Sequence, residues 1–162
     1  MNNLALPVSQ TVYRDGVFPV SISQSLTDKL LDEAKARTAY HRLSGLSYAP
    51  DTHFDVWILP SDSALYALVK QHIDGMLNVD SDVIRIHRMS DADTIERHVD
   101  SGYPDRDTLV FRLDNHDDPR FIINDSAVPE SQGAGYYMPE GTPHAVSSGL
   151  TERYSLTIWV KP

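Results

Sequence analysis

The chain has 162 residues, no cysteine and a formal charge of −9 at pH 7. This length fits one domain that can bury a core without cross-links. The lack of cysteine excludes disulfides, thiolate metal ligands and cysteine nucleophiles. The negative charge argues against nucleic acid as a partner, because an acidic surface repels a phosphate backbone.

The N-terminal stretch MNNLALPVSQ lacks the basic and apolar regions of a signal peptide. No segment approaches the roughly 20 apolar residues that span a bilayer. We therefore expect a cytoplasmic protein without a membrane partner.

Two helices are predicted in the first half of the chain. SLTDKLLDEAKARTA (25–39) has amphipathic spacing, with apolar positions at Leu26, Leu30, Leu31 and Ala34. SDSALYALVKQHIDGML (61–77) begins with a capping serine after Pro60. Its expected buried face consists of Leu65, Leu68, Val69, His72 and Met76.

Strand patterns dominate the rest of the chain. Alternating residues predict strands at 83–89, 108–114, 120–124 and 153–160, and HFDVWILP predicts another at 53–60. Clusters of Asp, Gly, Pro and Ser separate these strands. The pattern predicts a mainly β protein, an antiparallel barrel or jelly roll with N-terminal helices packed on one sheet.

His-x-Asp pairs occur at 53/55, 72/74, 98/100 and 116/118. On a strand such a pair can hold two adjacent positions of a metal, because residues i and i+2 project from one face. The pair at 72/74 falls on a predicted helix, where the side chains diverge. The pair at 116/118 falls in a loop, and 53/55 has no partner histidine nearby. The preferred pair is therefore His98 and Asp100, after the strand 83–89 and the turn SDAD.

His144 is the third predicted ligand. It follows a turn punctuated by Gly and Pro in GAGYYMPEGTPHAVSSG and begins a new strand. Two histidines and one carboxylate on one face of an octahedral ion leave three open positions, as in non-haem Fe(II) oxygenases. By itself His144 also fits an ordinary turn histidine.

Arg153 begins the last predicted strand, RYSLTIWV. The even-numbered residues 154–160 form its apolar face, which we expect to pack under the helices, so Arg153, Ser155 and Thr157 face the interior. A buried guanidinium is costly unless it meets an anion. Its planar fork, with a hydroxyl beside it, suits a carboxylate held bidentately.

HVD at 98–100, His144 and RYS at 153–155 together resemble Fe(II)/2-oxoglutarate-dependent oxygenases. Residues 83–160 are most similar to the aspartyl/asparaginyl β-hydroxylase-like branch, which includes the proline cis-hydroxylases. The stretches that run in that branch's order are IRIHRMSDADTIERHVDSG, TLVFRLDN, PRFIIND and GAGYYMPEGTPHAVSSGLTERYSLTIWV.

The resemblance implies a double-stranded β-helix, a cupin-like barrel in which His98, Asp100 and His144 hold Fe(II). The co-substrates would be 2-oxoglutarate and O₂, with Arg153 and Ser155 at the far carboxylate of 2-oxoglutarate. Arg112 matches a further basic position that often contacts this co-substrate, although an inward arginine can bind the substrate instead. A carboxylate at Asp100 favours hydroxylation, since halogenating relatives have a small residue there.

The predicted function is hydroxylation of a free amino acid, another small molecule or a peptide residue. We expect one domain over 1–162, with 1–80 as helical support and flanking strands and 81–162 as the metal-binding core. The alternative is a non-catalytic cupin-like module that binds a metal or small ligand, which leaves Arg153 without an anion. A nucleic-acid demethylase of the same superfamily is disfavoured, because Trp159 replaces a second arginine of those relatives.

Substrate contacts are expected at the barrel mouth. The residues that strand order places there are Arg85, His87 and Tyr103. The loops expected to build the pocket are 41–53, 101–107 and 125–135.

Overall fold

The computed structural model describes residues 16–162, so the stretch MNNLALPVSQ, where we expect no signal peptide, lies outside the described residues. In chain order the elements are β1 (Phe18–Ser21), α1 (Gln24–Ala36), β2 (His41–Leu46), β3 (Ala49–Ile58), α2 (Ala64–Leu77), β4 (Asp80–Met89), β5 (Ile95–His98), β6 (Asp107–Arg112), β7 (Phe121–Ile123), β8 (Ser126–Ala127), β9 (Ala134–Met138), β10 (His144–Val146) and β11 (Arg153–Lys161).

The strands form two antiparallel sheets. The larger sheet has seven strands in the order β1-β9-β6-β11-β4-β3-β2, and the smaller has four in the order β5-β10-β7-β8. From β4 onward the chain passes back and forth between the two sheets. The prediction of a mainly β protein with antiparallel sheets is confirmed.

The larger sheet has a different apolar core on each face, because successive side chains of a strand point to opposite sides. One core is formed by residues of both helices and of the central strands of the larger sheet, including Leu30, Ile73, Ile86, Leu156 and Ile158. The other core lies between the sheets and includes Phe54, Val110, Phe121, Ile123 and Val146. Each fully buried aliphatic side chain contributes roughly 1.5–3 kcal/mol.

The helices begin at serine caps. Ser23 accepts a hydrogen bond from the backbone N–H of Leu26 at the start of α1, and Ser63 does the same for Tyr66 in α2. The second helix therefore starts three residues later than 61. The first ends at Ala36 rather than at 39, because the backbone is extended at Arg37.

The predicted buried face of α2 is wrong in part. Val69 is fully buried as predicted, but Leu68 and Met76 are 39% and 41% exposed, and Ile73, which was not predicted, is fully buried. Val69 and Ile73 lie one turn apart on the same side of α2, and the exposed residues Leu68 and Met76 are just as apolar. Apolar spacing alone therefore does not determine which side of this helix is buried, whereas packing against the sheet does. In residues 16–162, neither helix has the length and apolar character that crossing a bilayer requires.

Candidate metal centre and cavity

A cavity of about 470 Å³ is lined by residues of both sheets. Its size falls in the range of small-molecule sites. The predicted ligands His98, Asp100 and His144 all line it, and so do Arg153 and Ser155. The odd-numbered residues of β11 from Arg153 to Trp159 thus lie on the cavity wall, which agrees with the expected interior orientation of Arg153, Ser155 and Thr157.

The histidines meet across the smaller sheet. His98 ends β5, His144 begins β10, and the two are direct register partners. Asp100 follows two residues after His98, with its Oδ1 3.3 Å from Nε2 of His98 and its Oδ2 3.6 Å from Nε2 of His144. Ligand atoms of the three side chains all lie within 4.8 Å of one another.

The backbone fixes which imidazole nitrogen faces the site. Nδ1 of His98 lies 2.8 Å from the carbonyl oxygen of Glu96, and Nδ1 of His144 lies 2.9 Å from that of Thr142. A carbonyl oxygen only accepts, so Nδ1 carries the proton on each ring. In the neutral form of each ring the lone pair therefore lies on Nε2, where it could bind a metal, and the carbonyl orients each ring.

The carboxylate of the site is ionised. Burial opposes the charge of Asp100, but hydrogen bonds from His98 and Thr108 and the proximity of His144 lower its pKa to about 2. Burial lowers the pKa of His144. Burial also disfavours protonation of His98, but the hydrogen bonds to Asp100 and to the Glu96 carbonyl outweigh it and raise the pKa of that ring. Two imidazoles and one carboxylate form a donor set suited to a divalent transition metal.

Arg153 is buried and paired with an acid that the sequence did not reveal. Its Nη2 donates to Oε1 of Glu130 at 2.9 Å, and Nε does so at 3.3 Å. Its guanidinium carbon lies 5.7 Å from the centre of the Phe121 ring. The arginine therefore faces the cavity with one edge already held by a carboxylate.

Arg112 faces inward, as parity predicts, but it does not line the cavity. Its guanidinium donates to the carboxylates of Asp114 and Glu130 at 3.0 Å and to Asp118 at 3.3 Å. With three acidic partners, Arg112 supports Glu130 and, through it, Arg153. The described contacts give this side chain no direct access to a ligand in the cavity.

The other histidine pairs lie apart from the metal-ligand group. His53 bonds to Ser44 on the neighbouring strand, and His116 lies in a loop against the carbonyl oxygen of Glu152. His72 lies on α2. Among residues 16–162, only His98, Asp100 and His144 form a cluster with metal-ligand spacing.

The expected mouth residues Arg85, His87 and Tyr103 line the cavity. Parts of 41–53 and 101–107 line it as well, but no residue of 125–135, all of which are described, does so. The segment 125–135 contributes to the site through Glu130, which holds the guanidinium of Arg153.

Sequence reasoning missed three residues of this site. Thr108 donates to Asp100 Oδ2 at 2.8 Å, and Trp159 lies on the cavity wall. Strand parity was available as a signal for both, because Thr108 shares a face with Val110, and Trp159 shares one with Arg153. Glu130 lies in a loop, where no periodicity indicates which way a side chain points.

No family model and no curated protein matches the chain. A Pseudomonas putida prolyl-4-hydroxylase structure is similar over 99% of this chain and 100% of its own, with a TM-score of 0.74 and 17% identity. SnoN, a non-haem α-ketoglutarate-dependent epimerase from nogalamycin biosynthesis, is similar over 99% of this chain and 84% of its own, with a TM-score of 0.74 and 15% identity.

A third structure, of a predicted oxalate decarboxylase from Thermotoga maritima, is similar over 78% of this chain and 96% of its own. Its TM-score is 0.54 at 12% identity. The chain thus shares the fold of Fe(II)/2-oxoglutarate oxygenases and, more distantly, that of the predicted oxalate decarboxylase.

Proposed function

We propose that the chain is an Fe(II)/2-oxoglutarate-dependent oxygenase with a double-stranded β-helix fold, acting on a small molecule or a peptide residue. One observation carries the proposal: His98, Asp100 and His144 cluster in a cavity that also contains the Arg153 guanidinium. The similarity to SnoN supports it, since a structure of SnoN contains Fe3+ and α-ketoglutarate.

When bound, the iron supplies the activation of O₂ that couples substrate oxidation to conversion of 2-oxoglutarate into succinate and CO₂. The chain's own residues would hold it through Nε2 of His98 and of His144 and through one oxygen of Asp100. Thr108 holds the other carboxylate oxygen, which fixes the rotation of the Asp100 side chain. The sheets bury His144 and limit access of bulk water from that side.

Arg153 is proposed to bind the far carboxylate of 2-oxoglutarate. Its fork can donate two parallel hydrogen bonds to a carboxylate, and Ser155 offers a hydroxyl on the same face of β11. Glu130 prevents the long side chain from rotating away. The retained Asp100 ligand favours hydroxylation over halogenation, and iron, 2-oxoglutarate and O₂ are the proposed cofactor and co-substrates.

The test compares iron binding and succinate release in two histidine variants. His144→Ala should lose iron in an anaerobic titration and release no succinate, because one ligand is gone. His116→Asn, which changes a histidine outside the cluster, should retain both. Tight iron binding by His144→Ala, or loss of iron in His116→Asn, would contradict the proposed centre.

A second candidate function is a non-catalytic module that binds a metal and a small ligand. The observation in its favour is that Glu130 already provides Arg153 with an anion, so no co-substrate is needed to balance its charge. Such a module would bind iron through the same ligands. It would release no succinate from 2-oxoglutarate with any of a broad set of amino acids and peptides, which separates the two functions.

A further inference from the structure

Arg85 differs from the other arginines in residues 16–162. Each of those donates to a carboxylate or to a backbone carbonyl. Arg85 donates only to the hydroxyl of Tyr103, at 2.5 Å. A neutral hydroxyl does not balance a guanidinium charge, so this cation on the cavity wall lacks a counter-ion within the described part of the chain.

An aromatic pair holds Arg85 in place. The guanidinium carbon lies 4.8 Å from the centre of the Trp159 ring and 5.6 Å from that of Tyr103. The two rings are 4.5 Å apart. Stacking against aromatic faces fixes the planar group without neutralising its charge.

The group around Arg85 also contains two N–H donors that have no hydrogen-bond partner among the described residues. They are Nε of Arg85 and Nε1 of Trp159, and both are buried. Buried donors without acceptors carry a desolvation penalty, which a ligand can relieve by bringing oxygen atoms. The unpaired Nε–H of this guanidinium and the indole N–H of Trp159 are suited to the oxygen atoms of a carboxylate.

This group is separate from Arg153. In the β4–β11 ladder Arg85 pairs with Thr157, whereas Arg153 pairs with Met89. The four-residue offset corresponds to roughly 13 Å at the rise of an antiparallel strand. Trp159 pairs with Thr108, which holds Asp100, so the Arg85 group lies toward the metal ligands, and Arg153 lies at the far end of the strand face.

The cavity that Arg85 lines also has an apolar wall. The β2–β3 hairpin supplies Leu43, Leu46 and Ala49, and Val99 contributes from the segment between the metal ligands. A ligand that packs against this apolar wall and balances the charge of Arg85 has an apolar body and one negative group.

We propose that Arg85, with Tyr103 and Trp159, binds a free carboxylate of the substrate. The substrate is then a small apolar acid rather than an internal residue of a peptide, which has no carboxylate of its own backbone. This inference rests on the proposed function and names the substrate class of the same site.

The test titrates the iron- and 2-oxoglutarate-loaded protein anaerobically with 3-phenylpropanoate and with its uncharged amide, 3-phenylpropanamide. The chain contains two tryptophans. Trp57 stacks with Arg37 outside the cavity, so a Trp57→Phe background leaves Trp159 as the fluorescent reporter. We expect saturable binding of the acid and at least tenfold weaker binding of the amide.

Arg85→Gln in that background should abolish the preference for the acid. Arg88→Gln is the matched control, since it removes the same charge from the same strand but on the side of Tyr40 and Asp55, and it should keep the preference. Arg85→Lys retains the charge without the fork. It should bind the acid more weakly than the parent but still prefer it to the amide, which keeps the test decisive if the Gln variant does not fold.

Three outcomes would overturn the inference: no saturable binding of the acid, equal binding of the amide, or an unchanged preference in Arg85→Gln. Affinity for 2-oxoglutarate should stay within about twofold of the parent in Arg85→Gln, and a large loss would instead make Arg85 a co-substrate ligand. Failure of the proposed function has a different signature, because the parent would then release no succinate from 2-oxoglutarate, whether or not it binds iron and the acid.

Discussion

Glu130 determines how Arg153 is presented to the cavity. Its Oε1 accepts from Arg153, and its Oε2 accepts from Arg112 and from the backbone N–H groups of Arg120 and Phe121. Burial would raise the pKa of this carboxyl, but the arginines and backbone donors lower it, so Glu130 is ionised. The described bonds of Arg153 use Nε–H and one N–H of Nη2, which leaves Nη1 and the second N–H of Nη2 for the two oxygens of a co-substrate carboxylate.

Arg153→Ala should raise the KM for 2-oxoglutarate by well over tenfold with little change in iron affinity. Removing one partner of a charge-assisted pair in a dry site costs roughly 2–5 kcal/mol. Succinate release at varied 2-oxoglutarate and an anaerobic iron titration measure the two quantities on the same variant.

The competing role for Arg153 is a structural ion pair with Glu130. In that case Arg153→Ala would lower the melting temperature and leave the 2-oxoglutarate dependence of the folded protein unaltered. Glu130→Gln serves as the comparison, because it breaks the same ion pair while keeping the guanidinium.

Thr108→Val should weaken iron binding by about 10- to 100-fold, the range for loss of a residue that orients a metal ligand. Valine has the same shape but cannot donate to Asp100 Oδ2. Thr157→Val is the control, since Thr157 is as buried as Thr108 and lies on the cavity wall, but no described hydrogen bond joins it to a predicted metal ligand. Equal iron affinities in the two variants would show that Thr108 does not support the carboxylate.

At the scale of elements, Gly135 permits β9 to approach β6. A Cβ at this position would lie 2.0 Å from the carbonyl oxygen of Val110, a backbone atom in a paired strand that cannot move aside. We expect Gly135→Ala to lower the free energy of unfolding by about 1–3 kcal/mol, the usual cost of overpacking.

Gly75→Ala is the opposite case. Gly75 lies inside α2, and a Cβ there would meet nothing within 4 Å. Alanine should raise the free energy of unfolding by about 0.5–1 kcal/mol, because glycine is the poorer helix former. Urea unfolding of both variants checks the pair. A destabilised Gly75→Ala, or a Gly135→Ala as stable as the parent, would contradict this account of the two glycines.

The sequence predicts some elements far better than others. The central strands β4, β6 and β11 alternate cleanly, because one face meets the helices and the other the cavity, and their predicted bounds lie within a few residues of those observed. Strand β9 (AGYYM) was not predicted, since it is short, begins with Ala and Gly and shows no alternation of polar and apolar residues. The edge strand β2 was not predicted either, because its exposed residues carry no apolar pattern.

At the scale of the whole molecule, burial of His87 links stability to pH. Burial, aided by the charges of Arg85 and Arg153, lowers the pKa of His87 to about 3. In the unfolded chain a histidine titrates near about 6.5. Between these values the unfolded state binds a proton that the folded state does not, so stability is lost as the pH falls from about 6.5 toward 3.

Replacing His87 with Gln should flatten this pH dependence between pH 6.5 and 4.5. One proton difference corresponds to a slope of about 1.4 kcal/mol per pH unit, which the variant lacks. Urea unfolding at several pH values measures the slope for parent and variant under the same metal-free conditions. Parallel slopes would show that His87 takes up a proton in the folded protein.

The site could be predicted only in part because its members come from distant segments. The pattern of one His-x-Asp pair and one later histidine identified the three residues that the structure brings together, since each lies next to a recognisable strand or turn. The register between His98 and His144 depends on how β5 and β10, which are distant in the chain, pair within the smaller sheet. The link from Arg112 through Glu130 to Arg153 depends on long-range packing, which no local pattern encodes.

The position of β11 has a consequence for synthesis. It pairs with β4 and β6 on its two sides, yet it follows both of them in the chain. During translation from the N-terminus, β4 and β6 each present an unpaired edge until β11 leaves the ribosome. Open edges with apolar faces invite pairing with other chains, so we expect the nascent protein to be prone to aggregation until β11 has paired with both strands.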